Sequence, residues 1–385
     1  MQAKAASSAY PNVIVIGAGV IGLAIGWRLA QAGAAVTLLD KGTAGSGASR
    51  AAAGMLAACA EAEPGERDLL ALGRASQALW PAFAAELEHA AGCTIGLRRE
   101  GTIIAALTDD DRANLQHHLV FLRSLDLPVA WMPAAEVRQR EPHLASSLRG
   151  ALWSPEDHQV DNRRLAAALR TAACKAGATL HEGVAVERIA HGNGHIEGVV
   201  VEGTLRRADV VVLAAGAWSR EIAIDGLVPR LPVRPVKGQM LALRMDPAAP
   251  LLRHVLRVPG AYLVPRYDGR LIIGATVEEK GFDQSVTAGG MLSLLQAAWR
   301  ALPAIEELPL DETWVGFRPG SRDDQPILGP GPVEGLVYAT GHARNGILLT
   351  PVTARAISEL VLHGTTDPLI RPLRAGRFGV RAAAA

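Results

Sequence analysis

Two arginines lie where a guanidinium group could bind a carboxylate. Arg318 follows a strand that we predict over residues 312–317, and Arg344 lies in a glycine-rich turn over residues 341–346. A planar guanidinium holds a carboxylate through two parallel hydrogen bonds. A surface role is the usual alternative for an arginine, but positions at the ends of strands favour a binding site. We therefore expect a ligand that carries a carboxylate group.

Histidines and cysteines offer less chemistry. His342, in the same turn, could act as a general base, and a structural role at the end of a strand is the alternative that we favour. The pair His117-His118 has no partners at metal-ligand spacing, so we expect no metal site. The cysteines are widely spaced without a C-x-x-C motif, and we expect small buried side chains in a reducing compartment at Cys59, Cys93 and Cys174.

The first predicted strand leads into a motif that binds phosphates. Four β-branched residues at 13–16 predict a buried strand, and GAGVIG follows it at residues 17–22. Gly17 permits a tight turn, Gly19 lets a pyrophosphate approach the main chain, and Gly22 lets the next helix pack against the strand. The alternative is a glycine-rich turn in the core of an α/β protein. The position of the motif between a strand and a helix favours a dinucleotide.

Further small residues indicate which dinucleotide it is. Asp40 ends the second predicted strand about 20 residues after the motif, where an acid bonds a ribose hydroxyl. The run from Gly42 to Met55 is rich in Gly, Ala and Ser, and turns at 214–219 and 341–347 follow two more predicted strands. A flexible linker is the alternative for the run. A nicotinamide cofactor needs no such second loop, whereas FAD is longer, so we expect FAD.

The order of elements predicts an α/β fold (mixed α+β) in two domains. We expect a Rossmann-like βαβ FAD-binding domain, interrupted by an antiparallel-sheet substrate domain. We assign residues 1–90, 147–220 and 320–385 to the FAD-binding domain, and 91–146 and 221–319 to the substrate domain. Predicted helices lie at 67–90, 110–125, 162–176, 290–301 and 351–362, with Asp109 and Asp161 as N-caps of the second and third. Later strands are predicted at 179–189, 196–201, 209–214, 232–244, 261–265, 271–276, 312–317 and 335–340.

Composition excludes several classes of protein. The chain has 385 residues, of which 49% are hydrophobic, and its formal net charge is +1. This length allows a sizeable core, and the absence of a long basic run argues against nucleic acid as a partner. Glycines and polar residues interrupt the apolar start of the chain. We therefore expect no membrane span, no signal peptide and a cytoplasmic location.

Several motifs together resemble the FAD-dependent D-amino acid oxidase superfamily, and especially its members that oxidise glycine. The resemblance covers residues 13–362, and its later motifs are more specific than the first. It rests on the segments GAGVIGLAIGWRLAQAG, GASRAAAGML, RPVKGQML, YLVPRYDGRLIIGATVEE, ETWVGFRPGSRDDQPILGP and GHARNGILLTP.

The resemblance implies a flavoenzyme that oxidises glycine, sarcosine and small D-amino acids to imines. The imine would hydrolyse to a 2-oxo acid such as glyoxylate and ammonia, or supply thiamine thiazole synthesis. Non-covalent FAD, hydrogen peroxide formed from O₂ and a cytosolic homotetramer are also implied. The mechanism of the superfamily needs no catalytic acid or base from the protein, because hydride passes from the α-carbon of a neutral amine to the flavin.

The resemblance also assigns site residues. Substrate contacts would fall at Arg318, Arg344 and Tyr262. Contacts with FAD, with the motif glycines included, would fall at Gly17, Gly19, Val20, Ile21, Gly22, Asp40, Lys41, Ala48, Ser49, Ala53, Gly54, Met55, Val186, His342, Ala343, Arg344, Asn345, Gly346, Ile347 and Leu348.

One residue departs from the pattern of the superfamily. Its members often carry an aromatic side chain where this chain has Ala343, so we expect a pocket that is open to substrates larger than glycine. The alternative is a side chain that points away from the pocket. Two other functions also stay open: a D-amino acid dehydrogenase of the same fold that passes electrons to a quinone, and a non-catalytic redox sensor that binds a dinucleotide.

Overall fold

The structure is a computed structural model, which describes residues 10–226 and 230–379. Eight α-helices lie in these residues: α1 Val20–Gln31, α2 Ala48–Ala51, α3 Arg67–Ala91, α4 Asp109–Ser124, α5 Ala134–Arg140, α6 Asn162–Lys175, α7 Ala288–Ala301 and α8 Thr350–His363. Short 3₁₀ turns lie at Gly216–Trp218, Pro303–Glu307, Ala343–Asn345, Pro368–Leu373 and Ala375–Phe378.

Strands make up four sheets. In chain order they are β1 Asn12–Ile16, β2 Ala35–Leu39, β3 Met55–Leu56, β4 Thr102–Ala106, β5 Ala130–Met132, β6 Gly150–Ser154, β7 His158–Gln159, β8 Thr179–His181, β9 Arg188–Gly192, β10 His195–Val201, β11 Thr204–Arg207, β12 Val210–Leu213, β13 Ala223–Ile224, β14 Arg234–Arg244, β15 Val255–Val258, β16 Ala261–Pro265, β17 Arg270–Gly274, β18 Leu310–Gly320, β19 Ile327–Pro330 and β20 Leu336–Thr340.

A six-stranded sheet carries the glycine motif of residues 17–22. Its order is β19-β20-β12-β1-β2-β8, and its pairs are parallel except for β19 with β20. Successive side chains of β1 point to opposite faces. Val13 and Val15 pack in a cluster with α1, α3, α6 and α8, whereas Ile14 and Ile16 pack with strands of the smaller sheets. Both faces are covered, which explains the unbroken apolar sequence of β1.

An eight-stranded sheet forms the second large element. Its order is β18-β14-β17-β16-β15-β4-β6-β5, and its pairs are antiparallel except for β15 with β4. Helix α7 covers one face, where Leu294 and Ala298 pack with Leu241 and Ile273. The other two sheets are small, with the orders β11-β10-β9-β13 and β3-β7. The fold is therefore mixed α/β, as predicted.

The predicted elements match the structure unevenly. All five predicted helices are confirmed to within two residues at each end, and Asp161 is confirmed as the N-cap of α6. Asp109 as a cap is wrong, because the Thr108 hydroxyl accepts from the Asp111 backbone N–H in a capping box. The strand over 179–189 is wrong as one element, since Gly183 turns the chain with a φ of 72° between β8 and β9. Short strands such as β4, β6 and β15 were not predicted, because short apolar runs do not distinguish strand from helix.

The assignment of domain boundaries stays a prediction. The eight-stranded sheet includes β6, which lies in a segment that we assigned to the FAD-binding domain.

The three cysteines are unbonded thiols, but only Cys59 is buried, so the expectation of burial is wrong for Cys93 and Cys174. Within residues 10–226 and 230–379, no helix combines the length and the apolar character that crossing a membrane requires.

Candidate functional site

A cavity of about 1360 Å³ opens where the carboxyl ends of β1, β2, β12 and β20 face β14, β16 and β18 of the large sheet. It is larger than a pocket for one small molecule, and the edge of a parallel sheet is a usual binding place for dinucleotides. Gly22 and Leu348 do not line it. The other predicted site residues do: Gly17, Gly19, Val20, Ile21, Asp40, Lys41, Ala48, Ser49, Ala53, Gly54, Met55, Val186, Tyr262, Arg318, His342, Ala343, Arg344, Asn345, Gly346 and Ile347.

The glycine motif forms one end of this cavity. A Cβ atom at Gly17 would lie 2.5 Å from the Ala214 carbonyl oxygen, and one at Gly22 would lie 1.9 Å from the Gly17 carbonyl oxygen. Gly22 therefore allows α1 to pack on β1, although it does not face the cavity. Helix α1 begins after Gly19, which has no side chain to cap it, and the Val20 N–H at its start donates to the Ser49 hydroxyl. Its free N–H groups and positive dipole end suit a pyrophosphate.

Two polar side chains fix the loops around the motif. One carboxylate oxygen of Asp40 accepts from the Ala18 backbone N–H at 2.7 Å, and the other accepts from the Gly42 N–H at 2.8 Å. The Ser49 hydroxyl accepts from the Val20 N–H at 3.0 Å. Asp40 therefore holds the turn itself, and its contact with a ribose stays a prediction.

Arg266 is a residue that sequence reasoning missed, although it lies in the quoted motif YLVPRYDG. Its buried guanidinium donates to four oxygens, those of Ala53 O at 2.6 Å, Gln159 Oε1 at 2.7 Å, Val160 O at 3.0 Å and Asn162 Oδ1 at 3.1 Å. Burial lowers its pKa to about 10, so it stays charged at neutral pH. Gly54 packs against the Val160 carbonyl oxygen that accepts from Arg266, since a Cβ at Gly54 would lie 2.0 Å from that oxygen. Arg266 thus ties the loop after α2 to the large sheet.

Arg318 lines the cavity, and no ion pair among the described residues compensates its charge. Its Nη1 donates to the Thr276 carbonyl oxygen at 3.1 Å. On the neighbouring strand β14, Gly238 leaves room for it, because a Cβ there would lie 2.7 Å from Nη1. Burial raises the pKa of the Tyr262 hydroxyl, and the nearby Arg318 charge opposes that rise. Arg318 and Tyr262 therefore lie close together, and both line the cavity.

Arg344 lies in the cavity wall but already has partners. Its Nη2 lies 2.7 Å from Glu66 Oε2, and its Nε lies 3.5 Å from Glu61 Oε2. The two arginines predicted to bind a carboxylate therefore differ, because Arg318 has no ion pair among the described residues whereas Arg344 is paired with Glu66 and Glu61. The acids come from the segment before α3, far from residue 344 in the chain, and no sequence motif indicated the pairing.

His342 is buried and neutral. Its side chain is hydrogen-bonded through Nε2 to the Thr353 hydroxyl at 3.2 Å, and only 3% of the residue is exposed. Burial lowers the pKa of its imidazole to about 3. Its only side-chain partner in the described part of the chain is a hydroxyl on α8, which favours the structural role over that of a base.

Ala343 has an unusual backbone. Its φ is 45°, in the left-handed region that disfavours large side chains, and the residue lines the cavity. The small side chain therefore suits both the turn and the open space beside it.

Aromatic side chains line another part of the cavity that the sequence did not indicate. Trp218 stacks on Phe282 with ring centroids 5.0 Å apart, and Phe317 contacts both rings edge-on. The Lys41 Nζ lies 4.2 Å from the centre of the Trp218 ring, and burial lowers the pKa of this lysine. These residues come from four separate segments, so no local pattern could have shown the cluster.

Comparison with known proteins gives the class. Residues 12–360 match the family described as FAD dependent oxidoreductase (DAO). The chain belongs to this family, and the protein is an FAD-dependent oxidoreductase.

Individual relatives narrow the class. The chain is 42% identical over 355 residues to the glycine oxidase of Geobacillus kaustophilus, which covers 91% of this chain and 92% of the relative. The crystal structure of glycine oxidase from that organism superposes with a TM-score of 0.87 at 39% identity, covering 95% of this chain and 98% of the other. The iminodiacetate oxidase of Chelativorans sp. superposes with a TM-score of 0.85 at 30% identity, covering 94% and 98%.

A further relative is longer than this chain. The bifunctional protein ThiO/ThiG of Synechocystis sp. is 41% identical over 374 residues, which cover 95% of this chain but 54% of the relative. The chain therefore spans about half the length of the bifunctional relatives that it matches.

The residues of this chain fit FAD. Gly17 and Gly54 line the cavity without a side chain, so main-chain atoms form its surface at both positions. Val20 begins a helix whose N-terminus faces that space. Both Lys41 and Arg344 line the cavity, whose volume of about 1360 Å³ exceeds that of an ordinary small-molecule pocket.

Proposed function

We propose that this protein oxidises glycine, sarcosine and small D-amino acids to imines, with FAD bound non-covalently and O₂ as the electron acceptor. The imine hydrolyses to a 2-oxo acid and ammonia, or serves thiamine thiazole synthesis. The relatives named glycine oxidase and ThiO/ThiG support this substrate class. Bound FAD would supply the redox chemistry, as the acceptor for a hydride from the substrate whose two electrons then reduce O₂ to hydrogen peroxide.

The unpaired charge of Arg318 is the observation that carries the proposal. An amino acid brings a carboxylate, and a guanidinium without an ion pair binds it at little cost, because no existing pair must be broken. The Thr276 carbonyl oxygen accepts from Nη1 of the guanidinium, and Arg318 lines the cavity. Arg318 then positions the α-carbon of the substrate, and Tyr262 lines the pocket beside it.

The proposed reaction needs no proton transfer to or from a side chain of the protein. His342 is neutral at physiological pH and bonded to Thr353, so it holds the turn at 341–346 rather than taking a proton. We assign the site no catalytic acid or base, and the substrate amine reacts in its neutral form. The contribution of the chain is to orient the substrate and exclude water from the cavity.

Assembly and location are part of the same proposal. We infer a homotetramer in the cytoplasm from the resemblance of the chain to its superfamily. Light scattering of the purified protein at several concentrations tests the assembly, and a mass of one chain at all concentrations would contradict it.

A peroxide assay in air tests the function. The purified protein should be yellow, should release its flavin on acid precipitation, and should form hydrogen peroxide with glycine, sarcosine and D-alanine. Bleaching with these substrates without peroxide formation would indicate a dehydrogenase instead. A colourless protein, or a yellow protein that no amino acid reduces, would contradict the proposal.

A further inference from the structure

An acidic side chain lies between two arginines at the substrate end of the cavity. Glu61 lines the cavity, and its side chain is only 12% exposed. Its Oε1 lies 3.4 Å from Arg257 Nη1, and its Oε2 lies 3.5 Å from Arg344 Nε. Arg257 also lines the cavity. Three arginines therefore surround this space, and Glu61 pairs with two of them.

The two arginines depend on Glu61 to different degrees. Arg344 has a second and closer partner, because Glu66 Oε2 lies 2.7 Å from its Nη2. The structure gives Arg257 one ion pair within residues 10–226 and 230–379, and that pair is with Glu61. Loss of the Glu61 charge would therefore release Arg257 and leave Arg344 bound to Glu66.

Arg257 lies directly opposite Tyr262 across β15 and β16, and both line the cavity together with Glu61 and Arg318. The pKa of the Tyr262 hydroxyl is raised by burial, lowered by Arg318, raised by Glu61 and lowered by Arg257. The phenol therefore lies within electrostatic reach of all three charges. A substrate whose α-carboxylate is bound by Arg318 would bring a second carboxylate, if it had one, towards the pair formed by Arg257 and Glu61.

We propose that Glu61 makes the site selective for amino acids with a single carboxylate, by neutralising Arg257 and repelling a second carboxylate. This inference rests on the proposed function, since it concerns the substrate class of the same site. A negative charge that is only slightly exposed is weakly screened by solvent. Specificity of this kind needs a repulsive element against the wrong ligand as well as contacts to the right one. The proposal makes Glu61 a specificity-determining residue, with no part in the chemical step.

Replacement of Glu61 by the isosteric neutral amide tests the proposal. In Glu61→Gln, the ratio of kcat/KM for iminodiacetate over glycine should rise about tenfold or more, because repulsion becomes attraction by a freed Arg257. Glu66→Gln is the matched control, since Glu66 contacts Arg344 alone of the three arginines, and its ratio should stay within about threefold of wild type. The double variant Glu61→Gln/Arg257→Gln should lose the gain.

A binding measurement separates this inference from the proposed function. Malonate and acetate are titrated against the purified holoenzyme, and the change in flavin absorbance gives a Kd for each without turnover. The preference for malonate over acetate should increase in Glu61→Gln and return to the wild-type value in the double variant. If the malonate preference increases in this way but the enzyme does not oxidise glycine, the result would contradict the proposed function and still support the inference about Glu61.

Two results would overturn the inference. An unchanged preference for dicarboxylates in Glu61→Gln, with glycine oxidation intact, would show that Glu61 does not select substrates. A gain that persists in the double variant would assign the effect to Arg344 and not to Arg257.

Discussion

At the phosphate end of the cavity, glycines and backbone N–H groups form the surface, whereas at the substrate end long charged side chains form it. The end that we expect to bind phosphates is lined by residues of the glycine motif and of the run 42–55, most of which are Gly, Ala or Ser. The substrate end brings Arg318 together with Tyr262, Arg257, Glu61 and Arg344 from four distant segments.

This difference determines what each end can do. Backbone dipoles at the phosphate end are fixed by the fold and need no partner to keep their orientation. At the substrate end, a charged side chain can bind a ligand of opposite charge more readily if no neighbouring residue already neutralises it. Arg318 and Arg344 are the same residue type on the same cavity wall, yet only Arg344 is paired among the described residues. The pairing of charges, rather than their number, therefore sets the chemistry of this end.

The largest expected effect separates the two arginines. Truncating one partner of a buried charge pair costs about 2–5 kcal/mol. Arg318→Ala should therefore lower kcat/KM for glycine by roughly 30- to several-thousand-fold at about 1.4 kcal/mol per decade. Arg318→Lys should also be poor, because an ammonium cannot make a two-pronged contact. Steady-state kinetics with the flavin content measured in each variant provides the comparison.

The matched control is Arg344→Gln, which removes a charge that Glu66 and Glu61 already neutralise. It should lose less activity than Arg318→Ala. Equal losses in the two variants would mean that the pairing of Arg344 does not decide its role.

The next effect concerns stability in acid. The folded pKa of His342 is about 3, below the ordinary value of ~6.5 for an unfolded chain, because burial disfavours the charged form. The stability that follows is present above pH ~6.5 and is lost as the pH falls towards the folded pKa, at about 1.4 kcal/mol per pH unit. His342→Gln carries no such titration, so its free energy of unfolding should fall less steeply between pH 6.5 and pH 4.5.

Denaturant unfolding across that pH range measures the difference, with wild type and variant compared at each pH. The same variant should keep the pH profile of kcat/KM for glycine, which rises with ionisation of the substrate amine. A limb near pH ~6.5 that disappears in His342→Gln would instead make this residue a base.

A smaller effect tests the phosphate end. In Gly22→Ala, the new Cβ would lie 1.9 Å from the Gly17 carbonyl oxygen, so α1 must move away from the motif. Such overpacking costs about 1–3 kcal/mol. We expect weaker FAD binding and a lower Tm. Gly26→Ala is the control in the same helix, because its Cβ would meet only the flexible end of Leu38 at 3.1 Å. Fluorescence titration of the apoprotein with FAD compares the two, and equal affinities would contradict the role of Gly22.

The smallest effect concerns the size of the pocket. Each extra methylene in an apolar pocket is worth about 1–3 kcal/mol of discrimination. If Ala343 leaves space for larger substrates, Ala343→Phe should lower the ratio of kcat/KM for D-alanine over glycine about tenfold. Ala343→Gly controls for the backbone, because glycine adopts the φ of 45° without strain. An unchanged ratio in Ala343→Phe, with flavin content intact, would show that residue 343 does not limit the pocket.

The same difference explains how far the sequence could be interpreted. The glycine motif could be located from the sequence because it consists of glycines at fixed spacing, and Gly17 and Gly19 line the cavity whereas Gly22 does not. Arg318 was also singled out from the sequence, but the expectation that it follows a strand is wrong, because β18 runs on to Gly320 and Arg318 lies within it. Arg266 and the partnership of Glu61 with Arg257 were not singled out, because they join segments separated by more than a hundred residues. Burial lowers the pKa of His342 and keeps its imidazole neutral, and no local sequence pattern shows that burial.

Anaerobic reduction of the bound flavin by glycine tests the central claim most directly. Wild-type holoenzyme mixed with glycine in the absence of O₂ should lose its visible flavin absorbance completely, at a rate that saturates with glycine concentration. Arg318→Ala with the same flavin content should be reduced far more slowly and without saturation in that concentration range. A wild-type flavin that glycine, sarcosine and D-alanine all leave oxidised, or an Arg318→Ala variant that is reduced as fast as wild type, would contradict the account.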